Sequence, residues 1–352
     1  MKVVIFHHYS LSYGGGGEKI INSIVTELMK RGHRVEVHSF PIRKGCNSEI
    51  INHISYYHEG LLHMVDADIV YIMYAPLLVK LLLGMESPKI AGIHSFLPCM
   101  PFAHEPIKRA VFILRHGVLA TAMKLLWNIY GYKELTYNFD AIHIPNLSNP
   151  LKISCKKIYC IPNWVDTNIF KPRKNKRQLF TVAFIGRHIW QKGWDIYKRI
   201  AHFLRRKFDD MRFISVGGSG NEKYIESIGY ISSDKKLSEI YSSSHVVVYP
   251  SRADIFGLTI IESLACGTPI LTSLLPSHAT FVPSYFLCQT LSDYVRKILK
   301  LYNKWKNDRL CYEEISEKCR KIAMKFDKSI IFPKFEKMLL EVASEGGSLK
   351  CS

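Results

Sequence analysis

Acidic residues are scarce in this chain, and that scarcity is the first constraint on what it does. Against 48 lysines and arginines stand 30 aspartates and glutamates, a formal charge of +18 over 352 residues. The excess is spread over both halves of the chain and is not gathered in one arm. A field of that sign draws negative partners: a phosphorylated lipid, an anionic membrane, a nucleotide or a nucleic acid. The nine cysteines include no C-x-x-C pair, which excludes a zinc ribbon and a thioredoxin-type centre. Cys155 and Cys160 lie five apart with no second ligand pair nearby, so the cysteines read as thiols in a reducing compartment.

Long apolar runs are also lacking. The most apolar stretch, Ile69–Leu83, is interrupted by Pro76 and Lys80 and is too short to span a bilayer. No signal peptide precedes the first strand, so a cytoplasmic protein is expected, at most peripheral on the inner face of a membrane. The one Asp-x-Asp, Asp66-Ala67-Asp68, abuts a strand start instead of standing in a loop, so no metal is expected. Repeats and low-complexity tracts are missing, while a 47% hydrophobic fraction can fill the cores of two domains.

What is present alternates. Val3–Phe6 is a strand; Gly14–Gly17 follow, then a helix with Ile20, Ile21, Ile24, Val25, Leu28 and Met29 on one face. Gly32 caps that helix, and Val35 and Val37 begin the next strand. His7 and His8 read as loop residues. Further strands are read at Ile69–Met73, Lys89–Ile93, Ala141–Ile144, Phe180–Ile185, Phe213–Val216 and Val246–Tyr249. This pattern predicts an α/β protein with doubly wound sheets. Phe332, Phe335, Met338, Leu339 and Val342 carry a last helix. Pro106–Tyr132 is apolar with scattered Lys108, Arg115 and Lys124. Lys124 falls opposite the face shared by the other two, so a membrane-surface helix and a core helix both remain open.

Two loops carry the chemistry. Val246 to Ile270 reads as strand, polar loop, helix and strand, with Gly257 releasing the chain into the helix. The amides of Gly257, Leu258 and Thr259 suit a diphosphate at a helix start beyond a strand's carboxyl end. Asp254 and Glu262, eight apart, suit hydroxyl groups better than phosphate, as an acid does on a ribose. After Phe180–Ile185, Gly186-Arg187 and Lys192-Gly193 bound a loop with two cations five apart, a plausible diphosphate clamp. Gly217 opens a second glycine-rich loop near the same place. The glycines at 14–17 serve a tight turn or an approach to phosphate equally well. They lack the spaced third glycine and the ribose acid of a dehydrogenase fingerprint.

Pro250-Ser251, Asp254, Phe256-Gly257, Glu262-Ser263, Ala265, Gly267 and Pro269 together resemble the signature of the retaining GT-B glycosyltransferases of family 4, the glycosyl transferases group 1. Gly15-Gly16-Gly17-Glu18 is similar to that family's G-G-x-E loop, Gly186-Arg187 with Lys192-Gly193 to its phosphate motif, Gly229–Ile231 to its base-binding strand, and Pro162–Asp166 to its P-N-G-V-D turn, with Trp164 replacing Gly. Asp254 stands where the family has Glu, and Ser273–Val282 has no glycine where the family has a glycine-rich loop. The resemblance implies two Rossmann-like doubly wound domains facing across a cleft. It implies an acceptor-binding domain over 1–170, a nucleotide-sugar domain over 171–330 joined by the basic stretch Lys171–Arg177, and a terminal helix and tail, 331–352, crossing back to the first.

The implied reaction moves a hexosyl group from a nucleotide-diphosphate sugar to a glycan or lipid-linked hydroxyl, with retention and without metal or cofactor. Arg187 and Lys192 would stabilise the leaving diphosphate, His94 and Asp254 would orient the sugar, and Glu262 would bind ribose. Gly15, Gly16, Gly186, Gly217, Phe256, Gly257, Leu258 and Thr259 would complete the donor site. Two other classes are open: a catalytically silent nucleotide-sugar-binding partner, and a basic nucleic-acid-binding protein. The second has no recognition-helix signature, so no specific nucleic acid is expected.

Overall fold

Strands buried on both faces organise the molecule, seen in a computed structural model that describes residues 1–7, 15–39, 48–51, 54–57, 66–73, 85–94, 139–146, 157–173 and 178–348. The basic segment 106–132, His8 and residues 174–177 lie outside the described residues. The chain divides into one unit of residues 1–162 with 331–352 and a second of 163–330.

In the first unit, β1 (Lys2–His7) is followed by helix α1 (Gly16–Lys30), β2 (Arg34–Ser39), β3 (Ser48–Ile51), β4 (Ile54–Tyr57), β5 (Ile69–Met73), β6 (Lys89–Gly92), β7 (Ala141–Ile144) and β8 (Ile158–Cys160). The sheet order is β3-β4-β2-β1-β5-β6-β7-β8, parallel except for β3 against β4. The inner strands are apolar without alternation, as sheets covered on both faces require: every residue of β5 is buried. Ile20, Ile21, Ile24, Val25 and Leu28 bury one face of α1. The helix stops because Gly32 takes φ +83°, letting the Gly32 and His33 amides close on the carbonyls of Met29 and Leu28 at 3.0 and 3.1 Å. His7 is not a loop residue. It pairs in register with Ser39, and a buried imidazole is acceptable there because Nε2 lies 2.9 Å from Glu18 Oε1.

The second unit holds β9 (Phe180–Ile185), α2 (Trp194–Arg205), β10 (Met211–Val216), β11 (Glu226–Ser227), α3 (Asp234–Ser243), β12 (Val246–Tyr249), α4 (Leu258–Ala265), β13 (Ile270–Ser273), α5 (Pro276–Ala279), β14 (Leu287–Cys288), α6 (Leu291–Asn307) and α7 (Arg309–Met324). Its six strands run parallel in the order β11-β10-β9-β12-β13-β14. Counted from β9 that is 3-2-1-4-5-6, the dinucleotide-fold order, which reverses direction between β9 and β12. Gly229–Ile231 is loop, not strand, because Gly229 at φ +82° ends the extended run; the edge strand is β11, which lies just before it in the chain.

The division between units falls at Pro162, ahead of the basic stretch Lys171–Arg177. Residues 163–170 go with the second unit because Val165 bridges to Asp327 and Thr167 N donates to Asp327 Oδ2 at 3.2 Å. Helix α8 (Lys328–Ser348) begins earlier than its apolar face suggests, because Asp327 Oδ1 accepts from Ser329 N at 2.8 Å and opens it. From Ile331 onward this helix belongs with the first unit. There Glu336 holds Arg31 and His33 at 2.9 and 3.0 Å, and Glu341 accepts from Tyr159 at 3.0 Å.

Arg320 of α7 ties the second unit's layers together. Its guanidinium donates to the carbonyls of Phe170 and Ala265, both at 2.7 Å, and of Thr167 at 3.0 Å. Carbonyls left without a donor cost more than the bond itself contributes. Arg320→Ala is expected to lower unfolding stability by about 4–5 kcal/mol, summing three bonds to a charged donor at about 1.5 kcal/mol each, the low end of their range. Urea titration checks this, and a loss under about 0.5 kcal/mol, the scatter of surface substitutions, contradicts it.

Candidate functional site

The loops after β9 and β12 meet at the point where the strand order of the second unit reverses, and a glycine makes the meeting possible. Gly193 takes φ +76°, and a Cβ there would stand 2.1 Å from the Pro250 carbonyl oxygen. No other residue fits so close an approach. A single turn of tighter helix, Trp190–Lys192, precedes it and α2 follows. Arg252 then clamps the two loops. Its guanidinium makes a fork with Asp195, 2.7 Å on each arm, lies 4.4 Å from the Trp190 ring centre, and its amide donates to Gln191 O at 2.8 Å. Such paired geometry fixes direction as well as distance.

This clamp sets Lys192 against Asp254. The ammonium lies 3.0 Å from Asp254 Oδ2 and 2.7 Å from the Tyr249 hydroxyl, and that hydroxyl donates to the same carboxylate oxygen. The side chains keep 24% and 14% of their exposure, enough shelter for the charges to act strongly on one another. Burial raises the Asp254 pKa, but the Lys192 ammonium and the Tyr249 hydroxyl outweigh it and hold the carboxyl down at about 2. Lys192 is displaced upward: burial opposes its charge, and Asp254 overcomes that opposition. The glycine-free loop after β13 supports the same acid from behind. It folds into α5, where Ser277 Oγ donates to the Asp254 carbonyl at 2.7 Å. His278, fully buried there, is pushed down to about 4 by burial.

Arg187 differs from Lys192. It is exposed, and among the described residues its guanidinium meets no hydrogen-bond or ion-pair partner. The start of α4 is open too. Gly257 takes φ +75° and no side chain caps the helix, and the first amide to close on a backbone carbonyl is that of Ile260, on Gly257 O at 2.9 Å. Among the described residues, Gly257, Leu258 and Thr259 therefore present unpaired N–H groups. Gly186 and Gly217 end β9 and β10 side by side: a Cβ on Gly217 would lie 2.5 Å from Gly186 O.

Glu262 lies inside α4, 5% exposed, and accepts from the Tyr241 hydroxyl at 2.8 Å. Burial, then Glu262, pushes the Tyr241 pKa far up, so it stays a donor. Phe256 is placed differently from the expectation. Its ring is 3% exposed and stacks on Phe281 at 4.9 Å and edge-on to Phe326 at 5.5 Å, so it anchors the loop from the core side and presents no surface to a donor.

Residues 180–304 match the family model for glycosyl transferases group 1. This region belongs to that family. The chain is 24% identical to the phosphatidylinositol N-acetylglucosaminyltransferase subunit of Arabidopsis thaliana over 301 residues, 76% of this chain and 66% of that one. It is 24% identical to the Homo sapiens protein of the same name over 292 residues, 74% of this chain and 59% of that one. It thus spans about three fifths to two thirds of the relatives it matches. Among solved structures it resembles sucrose-phosphate synthase from Thermosynechococcus elongatus with a TM-score of 0.77 and 15% identity, covering 98% of this chain and all of that one. It resembles Anabaena HepE in complex with UDP-glucose at 0.72 and 15%, covering 97% and 100%. Both support two-domain GT-B architecture.

Of the residues marked out in the sequence, the group 1 region brings Arg187, Lys192, Asp254, Gly186, Gly217, Gly257, Leu258 and Thr259 to one end of its sheet. Gly15, Gly16 and His94 lie in the first unit. Gly15 and Gly16 open α1, but Glu18 turns back on that turn. Burial raises the Glu18 pKa, and His7 with the amides of Glu18 and Gly15 outweighs burial and lowers it, so the Gly15 amide already has an anion. Sequence reasoning missed Tyr249, Ser277, Tyr241 and the Arg252–Asp195 fork. Tyr249 carried a signal, a hydroxyl at the last position of an otherwise aliphatic strand. Among the described residues no group of three His, Cys, Asp or Glu is placed to hold a metal ion, and no helix is long and apolar enough to cross a membrane.

The Asp254 carboxyl sits below its unfolded-state pKa, so the contact stabilises the fold above about pH 4 and is lost as pH falls toward 2. Asp254→Asn is expected to cost about 2–3 kcal/mol at pH 7, the linkage value of a shift near two pH units. Its deficit against the wild type should shrink from pH 5 to pH 2 in urea unfolding. A deficit unchanged across that range would contradict the assignment.

Proposed function

We propose that this chain is a glycosyltransferase that moves a hexosyl group from a nucleotide-diphosphate sugar to an acceptor hydroxyl. The observation that carries this reading is the grouping of Arg187, Lys192 and the open start of α4 at the switch point of the second unit's sheet. A leaving diphosphate needs cations and oriented N–H groups where its charge grows, and such groups are worth most when held in place beforehand. Arg187 supplies a planar fork with nothing else to bind among the described residues, and Lys192 a point charge on a rigid turn.

Lys192 has a second role in this reading. Without donor its charge is spent on Asp254. Diphosphate oxygens compete for that ammonium, and the carboxylate they release is then available to sugar hydroxyls. Arrival of the phosphate and recognition of the sugar become one event. Glu262, supported by Tyr241, takes the ribose, and His94 orients the sugar. The cations and amides meet the charge of the leaving group without a metal, and transfer with retention follows the family resemblance.

The relatives' names point to N-acetylglucosamine as the sugar and phosphatidylinositol as the acceptor. The charge of +18 suits a phosphorylated lipid at an anionic membrane surface, where each basic residue near the surface contributes about 1 kcal/mol. The word "subunit" in those names suits a chain that works with partner chains. A second reading is favoured by one observation, Asp254 in place of the family's Glu and already bound to Lys192: a silent partner that binds the donor and does not transfer it.

The test supplies full-length chain with labelled UDP-N-acetylglucosamine and vesicles with or without phosphatidylinositol, and follows label into lipid. Transfer to the phosphatidylinositol vesicles alone is the expected result. Arg187→Ala and Lys192→Ala should each slow it by about 10²-fold or more, as loss of one preorganised donor does, while Arg187→Ala leaves the unfolding midpoint unchanged. Donor binding with no transfer to any acceptor selects the silent partner. Wild-type rates in both variants would overturn the phosphate assignment.

A further inference from the structure

The first unit contains a chain of hydrogen bonds that the glycosyl-transfer reading does not use. His143 Nε2 lies 2.8 Å from the carbonyl oxygen of Ile161. His143 Nδ1 lies 2.7 Å from the Tyr71 hydroxyl, and that hydroxyl lies 2.7 Å from His94 Nε2. Tyr71 is fully buried and His143 is 1% exposed. Strand geometry sets up the line. Tyr71 pairs with Ile90 and His143 with Gly92 across β5, β6 and β7, and residues two apart share a face. Tyr71, Gly92, His94 and His143 therefore stand on one side of the sheet.

Gly92 is what lets the line close. A Cβ there would sit 2.1 Å from the Tyr71 hydroxyl oxygen and 3.2 Å from His94 Cδ2. The phenol occupies the space that any other residue on β6 would fill. Phe335 of α8 seals the line with its ring 5.2 Å from Tyr71 and 5.5 Å from His143, edge-on to both. An aromatic wall of this kind holds both rings in place and excludes water.

The direction of every proton in the line follows from its two ends. A carbonyl only accepts, so His143 Nε2 carries a proton. Burial pushes the His143 pKa down to about 4, so the ring is neutral and its Nδ1 is the acceptor. Tyr71, whose pKa burial drives well up, remains a phenol with one proton, and that proton goes to His143. The phenol oxygen must then accept from His94, so His94 Nε2 is protonated. A neutral His94 then carries its lone pair on Nδ1, the form that accepts a hydrogen bond from a hydroxyl.

We propose that Tyr71 and His143 are positioning residues that hold His94 in the Nε2–H tautomer, so that its Nδ1 accepts from a hydroxyl of the transferred sugar. The tautomer stands on the bond line and on the neutrality of the buried His143; its use on the sugar rests on the glycosyl-transfer reading. Gly92 belongs to the device as the residue that makes room for it.

Nitrogen NMR of the full chain labelled with ¹⁵N-histidine tests the first part, with His94 assigned from the signals lost in His94→Gln. The expected result is a protonated Nε2 and an unprotonated Nδ1 on His94, and a mixture of tautomers on that ring in Tyr71→Phe. An Nδ1–H tautomer in the wild type overturns the proposal whatever the variants do. For the second part, Tyr71→Phe should lower kcat by about 10-fold or more, since small misplacements of orienting groups cost up to about 10²-fold, with the donor KM unchanged. An unchanged kcat, or an equal change in KM and kcat with normal His94 signals, overturns the positioning role. If the wild type holds the Nε2–H tautomer and Tyr71→Phe loses it, but no nucleotide sugar is ever turned over, the glycosyl-transfer reading has failed and the relay's use on a sugar fails with it.

Discussion

The ammonium of Lys192, held on a glycine-closed turn and neutralised by Asp254, is the contact on which the arrangement of the second unit depends. A lysine brought out of water with no partner would give up its proton or pull its loop outward. Asp254 removes that cost, and Tyr249 bridges the two groups. The geometry this requires is supplied from outside the pair. Gly193 permits contact with Pro250, the Arg252–Asp195 fork locks the loops, and Ser277 steadies the backbone of the acid. Remove the tight turn and both loops lose their common reference.

That contact also explains why two cations five residues apart are not equivalent. Arg187 is exposed and open to an incoming anion at once. Lys192 must exchange one anion for another, so its affinity for diphosphate is a difference between two interactions. A site built this way gives up some binding strength and gains a link between phosphate binding and a freed carboxylate. Differential affinity of that kind is the only means by which a ligand can shift a balance between two arrangements.

The strand and helix pattern was legible in the sequence because it depends on apolar period and on glycine, both local properties. β12 is an unbroken apolar run and β9 is one apart from Thr181, and the glycines at 186, 193 and 257 punctuate them. Arg187, Lys192 and Asp254 could be assigned to one site because each follows a strand's carboxyl end. The partners were not legible. Nothing local joins Lys192 to an acid 62 residues later, and Phe256, beside a ligand-type glycine, turns its ring into an aromatic cluster made with Phe281 and Phe326. Glu18 was read with its glycine loop, yet it folds onto His7, which a polar end-of-strand residue gave no reason to expect. Tyr71 and His143 each look like a single impurity in a hydrophobic strand. Only the register of three strands, with a glycine between them, shows that they form a line.

Calorimetric titration of the full-length protein with UDP, GDP and ADP at two salt concentrations bears most directly on the exchange of anions at Lys192. One of the three diphosphates is expected to bind, with an affinity that falls as salt rises because charged groups hold it. Asp254→Asn, which releases Lys192 from its internal anion, should bind the same diphosphate more tightly. Absence of binding by all three, or binding that Asp254→Asn leaves unchanged, would contradict the exchange.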